Sequence, residues 1–101
     1  MAAKLSLPDV LYALSDPLRL KIVHQLATEG EAACGTFEVR MPKSSLSHHF
    51  KVLREAGVIA TRGEGVRRIN MLRREELDAA FPGLLDAVLS APVPRIARKR
   101  A

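Results

Sequence analysis

The sequence predicts a single, mainly α-helical domain carrying one two-stranded β-hairpin, and three observations lead there. Its 101 residues suffice for one compact core and not for two, because domains usually hold roughly 100–150 residues. Almost half of the residues (48%) are apolar, yet aromatics make up 4% and tryptophan is absent, so aliphatic side chains must fill the core and strand-favouring aromatics are scarce. Apolar residues recur at helical spacing along the chain, whereas a pair of strand-like runs flanks a glycine-bearing loop near residue 64.

Pro8 to Leu14 places Leu11 and Leu14 three residues apart, the spacing of a brief apolar helix that stops at Ser15-Asp16. Asp16 can cap the next helix through its carboxylate, and Pro17 suits the first helical position because its missing N–H would be unpaired there in any case. That helix carries Leu18, Ile22, Val23 and Leu26 on one stripe, with Arg19, Lys21 and Gln25 elsewhere and Gly30 placed to end it. From Glu31 to Pro42 the pattern is weak, with Phe37 and Val39 as the large apolar anchors before Met41, and a short helix is the expectation. Lys43 to Ala56 then sets Leu46, Phe50 and Leu53 on one narrow face and meets a natural stop at Gly57. Two helices joined by a tight turn result.

Val58 to Arg62 and Val66 to Leu72 flank Gly63-Glu64-Gly65, which fits a two-stranded hairpin. Arg74 to Ala80 is expected to be helical, Pro82 interrupts, and Leu84, Leu85, Val88 and Leu89 form a further apolar stripe ended by Pro92 and Pro94. The domain is therefore placed at residues 1–91. Residues 92–101 form a tail with four basic residues among the seven from Arg95 to Ala101 and few core formers, expected to be disordered in isolation.

The formal charge of +5 and a pI near 10.0 favour a polyanionic partner, nucleic acid before an anionic membrane. No stretch approaches the roughly 20 apolar residues of a membrane span, and the N-terminus lacks a basic flank followed by an apolar signal core. A cytoplasmic protein with no membrane contact is expected. The lone cysteine, Cys34, cannot form an internal disulfide.

At 100° per residue the helix from Lys43 turns Leu46, Phe50 and Leu53 inward and Ser44, His48 and Lys51 outward. Short hydroxyls, an imidazole and an ammonium are what a helix entering a major groove needs, to approach base edges and to meet flanking phosphates. Ser44, Ser45, Ser47 and His48 are the direct-contact candidates, with Lys43 and Lys51 beside them. Such a face on an isolated amphipathic helix is as readily explained as a solvated surface. The hairpin that follows supplies the context: Arg62, Arg67 and Arg68 surround its tip, where arginines can reach phosphates or a narrow minor groove. Helix, turn, helix and hairpin together make a winged helix-turn-helix.

Ala13-Leu14-Ser15-Asp16-Pro17-Leu18-Arg19-Leu20-Lys21-Ile22-Val23, followed by the run Ser44-Ser45-Leu46-Ser47-His48-His49-Phe50-Lys51-Val52-Leu53-Arg54-Glu55-Ala56-Gly57-Val58-Ile59, resembles the ArsR/SmtB family of bacterial transcriptional regulators over about residues 8–90. The resemblance implies a homodimeric repressor that reads an inverted-repeat operator in double-stranded DNA with the helix holding Ser44 to His48, and a dimer interface built from the first and last helices. Val10, Leu11 and Leu14 with Leu77, Phe81, Leu84, Leu85 and Val88 are the expected interface, being more apolar surface than a small core needs. Pro42 departs from the family's usual Ser or Thr helix cap and leaves the start of the reading helix open by one residue. Metal sensors of the family carry paired cysteines in the first helix of the helix-turn-helix, or Asp and His ligands along the terminal helix. This sequence offers Cys34 alone in the first and no His in the second, so no metal and no cofactor are expected.

His24, His48, His49 and Cys34 have no spacing of a tetrahedral ligand set; His49, at the edge of the apolar face, is expected in a buried, hydrogen-bonded role. Cys34 is a possible redox switch if a helix N-terminus or cation stabilises its thiolate, against the plainer reading of a small buried apolar residue. Equal DNA affinity of wild type and Cys34→Ser with and without peroxide would remove the switch. An enzyme is not expected, since Ser and His between Ser44 and His49 diverge around one helix with Glu55 the nearest acid. The alternative function is a winged-helix module that binds another protein without sequence-specific DNA binding. The inducing signal is not encoded in any motif.

Overall fold

The computed structural model describes residues 5–33 and 42–93. Cys34 and the basic tail from residue 94 onward lie outside them, as does most of the weakly patterned segment before Pro42. The elements are helices α1 (Leu7–Ala13) and α2 (Pro17–Glu29), strand β1 (Glu31–Ala33), helix α3 (Lys43–Glu55), strands β2 (Ile59–Glu64) and β3 (Arg67–Leu72), and helices α4 (Arg74–Ala80) and α5 (Leu84–Ser90).

Helix α2 begins as its sequence dictates. Asp16 Oδ2 accepts from the backbone N–H of Leu18 at 2.8 Å and of Arg19 at 3.1 Å, and Pro17 follows at the first helical position. Gly30, at φ 85°, ends it. The chain leaves that turn as a strand rather than entering a helix at once: Glu31, Ala32 and Ala33 pair antiparallel with Met71, Asn70 and Ile69, and the rest of the stretch in which a short helix is expected lies outside the described residues. The free edge of β3 supplies backbone partners there, and this tertiary pairing overrides the weak local pattern. The sheet is thus three-stranded in the order β1-β3-β2. The expected hairpin forms its β2-β3 pair, but the strands run further than anticipated, to Glu64 opposite Arg67. The turn is therefore Gly65-Val66, with Gly65 at φ 65°, a conformation that suits glycine in a two-residue hairpin loop.

Ile22, Val23 and Leu26 of α2, Phe50 and Leu53 of α3, Val58, Ile59, Leu77 and Leu85 form one buried cluster with Val10, Ala13 and Leu14. Each large aliphatic side chain in it contributes roughly 1.5–3 kcal/mol over its exposed state. This placement corrects half of the expected dimer interface. Val10, Leu14, Leu77 and Leu85 are buried in the domain's own core, since each turns to the inner side of its short helix while Leu7, Leu11 and Tyr12 of α1 stay exposed. Asn70 is buried as well. It accepts from Thr61 Oγ1 at 2.8 Å and donates to the Ala32 carbonyl at 3.4 Å, stitching all three strands at one level.

Helix α3 starts at Lys43 with Pro42 in the cap position and no side-chain cap. Its C-terminus is firmly closed: Gly57 N–H donates to Arg54 O at 3.1 Å and Val58 N–H to Leu53 O at 3.0 Å, the paired bonds of a Schellman motif, with Gly57 at φ 85°. The Val58 carbonyl then accepts from Arg73 N–H at 2.9 Å, tying the helix end to the chain leaving β3.

Candidate nucleic-acid interface

Helix α3 presents the faces its sequence predicts. Phe50 and Leu53 are buried and Leu46 is half-buried, while Lys43, Ser44, Ser45, Ser47, His48 and Lys51 are exposed. His49 is half-buried, with Nδ1 3.0 Å from Arg19 Nη1 and 3.9 Å from Asp16 Oδ2. The two adjacent imidazoles therefore belong to different surroundings, one facing outward and one facing the body of the domain.

Between α3 and the hairpin lies a cleft of about 460 Å³, lined on the helix by Lys43, Leu46, Ser47, Phe50 and Arg54 and on the strands by Thr61, Arg68 and Asn70. Lys43, Ser47 and Arg54 share this flank because separations of four and eleven residues return to nearly the same angle on a helix. Arg54 is absent from the sequence-derived candidates. Its angular match to Lys43 was the available signal, obscured by its position in the last turn beside Glu55.

The cations of the wing divide into two kinds. Arg62 is held by carboxylates, with Nη1 2.9 Å from Glu31 Oε2 and Nη2 3.4 Å from Glu64 Oε2. Its hydrogen bond to Glu31 raises the guanidinium's pKa and lowers that of Glu31. Arg62 thus clamps β1 to the wing, rather than standing free as the sequence suggests. Arg67 and Arg68 are exposed, and they, Lys43 and Arg54 have no carboxylate partner among the described residues. On the far side, Arg73 pairs with Glu76 at 3.8 Å and Arg74 with Asp86 at 2.9 Å. Uncompensated positive charge accordingly collects where helix and wing face solvent together, the distribution that attracts a phosphate backbone.

The apolar surface left on α1 comprises Leu7, Leu11 and Tyr12, all exposed; on the C-terminal side Phe81, Leu84 and Val88 are half-buried. Of the sequence-derived interface, Leu11, Phe81, Leu84 and Val88 thus reach the surface. Among the described residues no group of three His, Cys, Asp or Glu side chains could hold a metal ion, and no helix is long and apolar enough to cross a membrane.

A helix-turn-helix domain model matches residues 14–62. The chain is 37% identical over 83 residues to the HTH-type transcriptional regulator YceK of Bacillus subtilis strain 168, spanning 79% of this chain and 83% of that protein. It is 36% identical over 73 residues to the arsenical resistance operon repressor of Staphylococcus xylosus, spanning 71% and 70%. The crystal structure of an ArsR family transcriptional regulator superposes with a TM-score of 0.68 over 85% of this chain and 98% of that one, at 23% identity, so the fold is shared. With its helix-turn-helix, its wing and these relatives, the chain belongs to the ArsR family of winged helix-turn-helix transcriptional regulators, which bind DNA.

Proposed function

We propose that this regulator is a cytoplasmic homodimeric repressor, without catalytic activity, that reads an inverted-repeat operator through α3 and leaves it in response to a signal. The observation that carries the reading is the outward face of α3, where Ser44, Ser47, His48 and Lys51 stand exposed beside the unpaired cations of the cleft. Ser44, Ser45, Ser47 and His48 approach base edges in the major groove. Lys43, Lys51, Arg54, Arg67 and Arg68 meet phosphates, which fix register without reading sequence. Arg62 acts indirectly, by holding the wing against β1. The second subunit covers Leu7, Leu11 and Tyr12 of α1 together with Phe81, Leu84 and Val88.

Selection of bound sites from random duplex DNA by the purified protein tests this. The expected result is an inverted repeat with half-sites centred about 10 base pairs apart or a multiple of that, so that both reading helices lie on one face of the duplex. Recovery of no preferred sequence, or of direct repeats, would contradict it.

A further inference from the structure

Arg19 is buried, at 5% exposed, and none of the DNA contacts above uses it. Its guanidinium lies where three helices converge. Nε donates to the Ala13 carbonyl at 2.8 Å and Nη2 to the Tyr12 carbonyl at 3.3 Å, both at the C-terminal end of α1, where the Tyr12 carbonyl also accepts from the Ser15 N–H and hydroxyl. Nη1 lies 3.0 Å from Nδ1 of His49 on α3. The guanidinium carbon is 5.2 Å from the centre of the Tyr12 ring, within cation–π range. Because a guanidinium only donates, Nδ1 of His49 must be the acceptor, which fixes the neutral imidazole with its proton on Nε2. Asp16, the cap of α2, flanks the same imidazole nitrogen at 3.9 Å.

Apolar packing of Val10 and Ala13 with Phe50 and Leu53 joins α1 to α3 on the core side only. On the outer side a cleft of about 260 Å³ remains between Asp9 and Tyr12 of α1 and Val52, Glu55 and the following Ala56 at the end of α3. A planar fork with donors in fixed directions sets an angle that so incomplete a contact does not.

We propose that Arg19 is a positioning residue for DNA reading, its buried guanidinium joining the C-terminal end of α1 to His49 and so fixing the pose of α3. The inference rests on the reading of α3 as the DNA-contacting helix and of α1 as a subunit contact. A shift of α1 at the subunit boundary is then passed to the reading helix through this joint.

The test uses the full chain with His49→Ala, His49→Gln and Arg19→Lys, and two probes: the duplex recovered from random DNA and a scrambled duplex. His49→Ala and Arg19→Lys should lower the ratio of selected to scrambled affinity by about 2- to 30-fold, the range for residues that act on a site through packing and hydrogen bonds. The salt dependence should be unchanged, since no phosphate contact is lost. His49→Gln, which keeps an acceptor for Nη1, should recover part of the ratio. The double variant should lose no more than the worse single one, as members of one network do. If His49→Ala lowers the melting temperature but leaves the ratio intact, the residue is merely structural and the proposal is overturned. A reduced salt dependence would equally overturn it, by making these residues phosphate contacts. If the selection recovers no preferred sequence, the DNA reading fails and the joint is judged in the free protein. There, amide hydrogen exchange in α3 should quicken in His49→Ala while that of α2 holds, and unchanged exchange in α3 would sink the joint itself.

Discussion

Arg68 and Arg62 lie on paired strands of the same wing, yet their removal should have opposite signatures in salt. Arg68 is exposed and has no carboxylate partner among the described residues, so as a proposed phosphate contact it should displace condensed counterions; Arg62 already has Glu31 at 2.9 Å and Glu64 at 3.4 Å and should displace few. Each phosphate contact contributes about 0.9 to the slope of log K against log salt. Arg68→Ala should therefore flatten the slope by about 0.9 per subunit, or about 1.8 in a dimer. Between 50 and 200 mM salt, a fourfold change, the affinity deficit of the variant relative to wild type should shrink by about 12-fold. Arg62→Ala should leave the slope nearly unchanged and lower affinity modestly at every salt, by exposing two carboxylates to the backbone. Fluorescence anisotropy titrations of one duplex at four or five salt concentrations suffice. Equal slopes for wild type and Arg68→Ala, or a larger slope change for Arg62→Ala, would refute the division between free and clamped cations.

Four further outcomes follow from the packing. Leu84→Arg should give a folded monomer by light scattering, with weakened DNA binding. Leu85→Arg, at a position 1% exposed, should fail to fold, since burying an unpaired charge costs more than about 4 kcal/mol; a folded Leu85→Arg dimer would contradict the assigned core. Gly57→Ala places a methyl against Leu5 Cδ2 at a φ of 85°, and such a conformation costs a non-glycine residue of order 1–3 kcal/mol. Its melting temperature, followed by circular dichroism, should drop by at least about 4 °C. The pKa of His49 is lowered from 6.5 by burial, with Arg19 and His48 pushing the same way and Asp16 opposing. The unfolded chain then takes up that proton first, so stability should fall as pH drops from 6.5 through the folded pKa and level off below it. The difference in unfolding free energy between wild type and His49→Gln should show this fall, and a difference that stays flat from pH 7 to 5 would refute it.

Helix α2 was legible because its signals are local: an aspartate and a proline at one end, a glycine at the other, and a single apolar stripe between. The outward face of α3 was legible for the same reason, and so were the contrasting environments of His48 and His49. Strand β1 was not. Glu31-Ala32-Ala33 has no strand pattern of its own, and its partners Met71, Asn70 and Ile69 lie almost forty residues away. The hairpin was visible but its register was not, because Gly63 and Gly65 could each have made the turn. The pairing of Ile59 with Leu72, which brings both onto the core side of the sheet, decides between them. The burial of Arg19 was not legible either, because it depends on acceptors from α1 and α3, which no single-helix pattern contains. The apolar residues of the short helices posed the remaining ambiguity, since hydrophobicity alone does not say whether a side chain faces its own core or another subunit.

The closed end of α3 sets a limit on how this regulator can be released from DNA. Only Ala56, Gly57 and Val58 separate the helix from β2, and Val58 is bonded through both its N–H, to Leu53, and its carbonyl, to Arg73. There is no slack in that connection. On the proposed reading, α3 and the wing therefore travel as one caliper, whose opening matches a fixed stretch of duplex. A signal that dissociates the protein has little means of widening the caliper. In the proposed homodimer it would instead change how the two calipers are spaced or tilted, so that each half-site still fits its own subunit while the pair no longer fits the intervening helical turn.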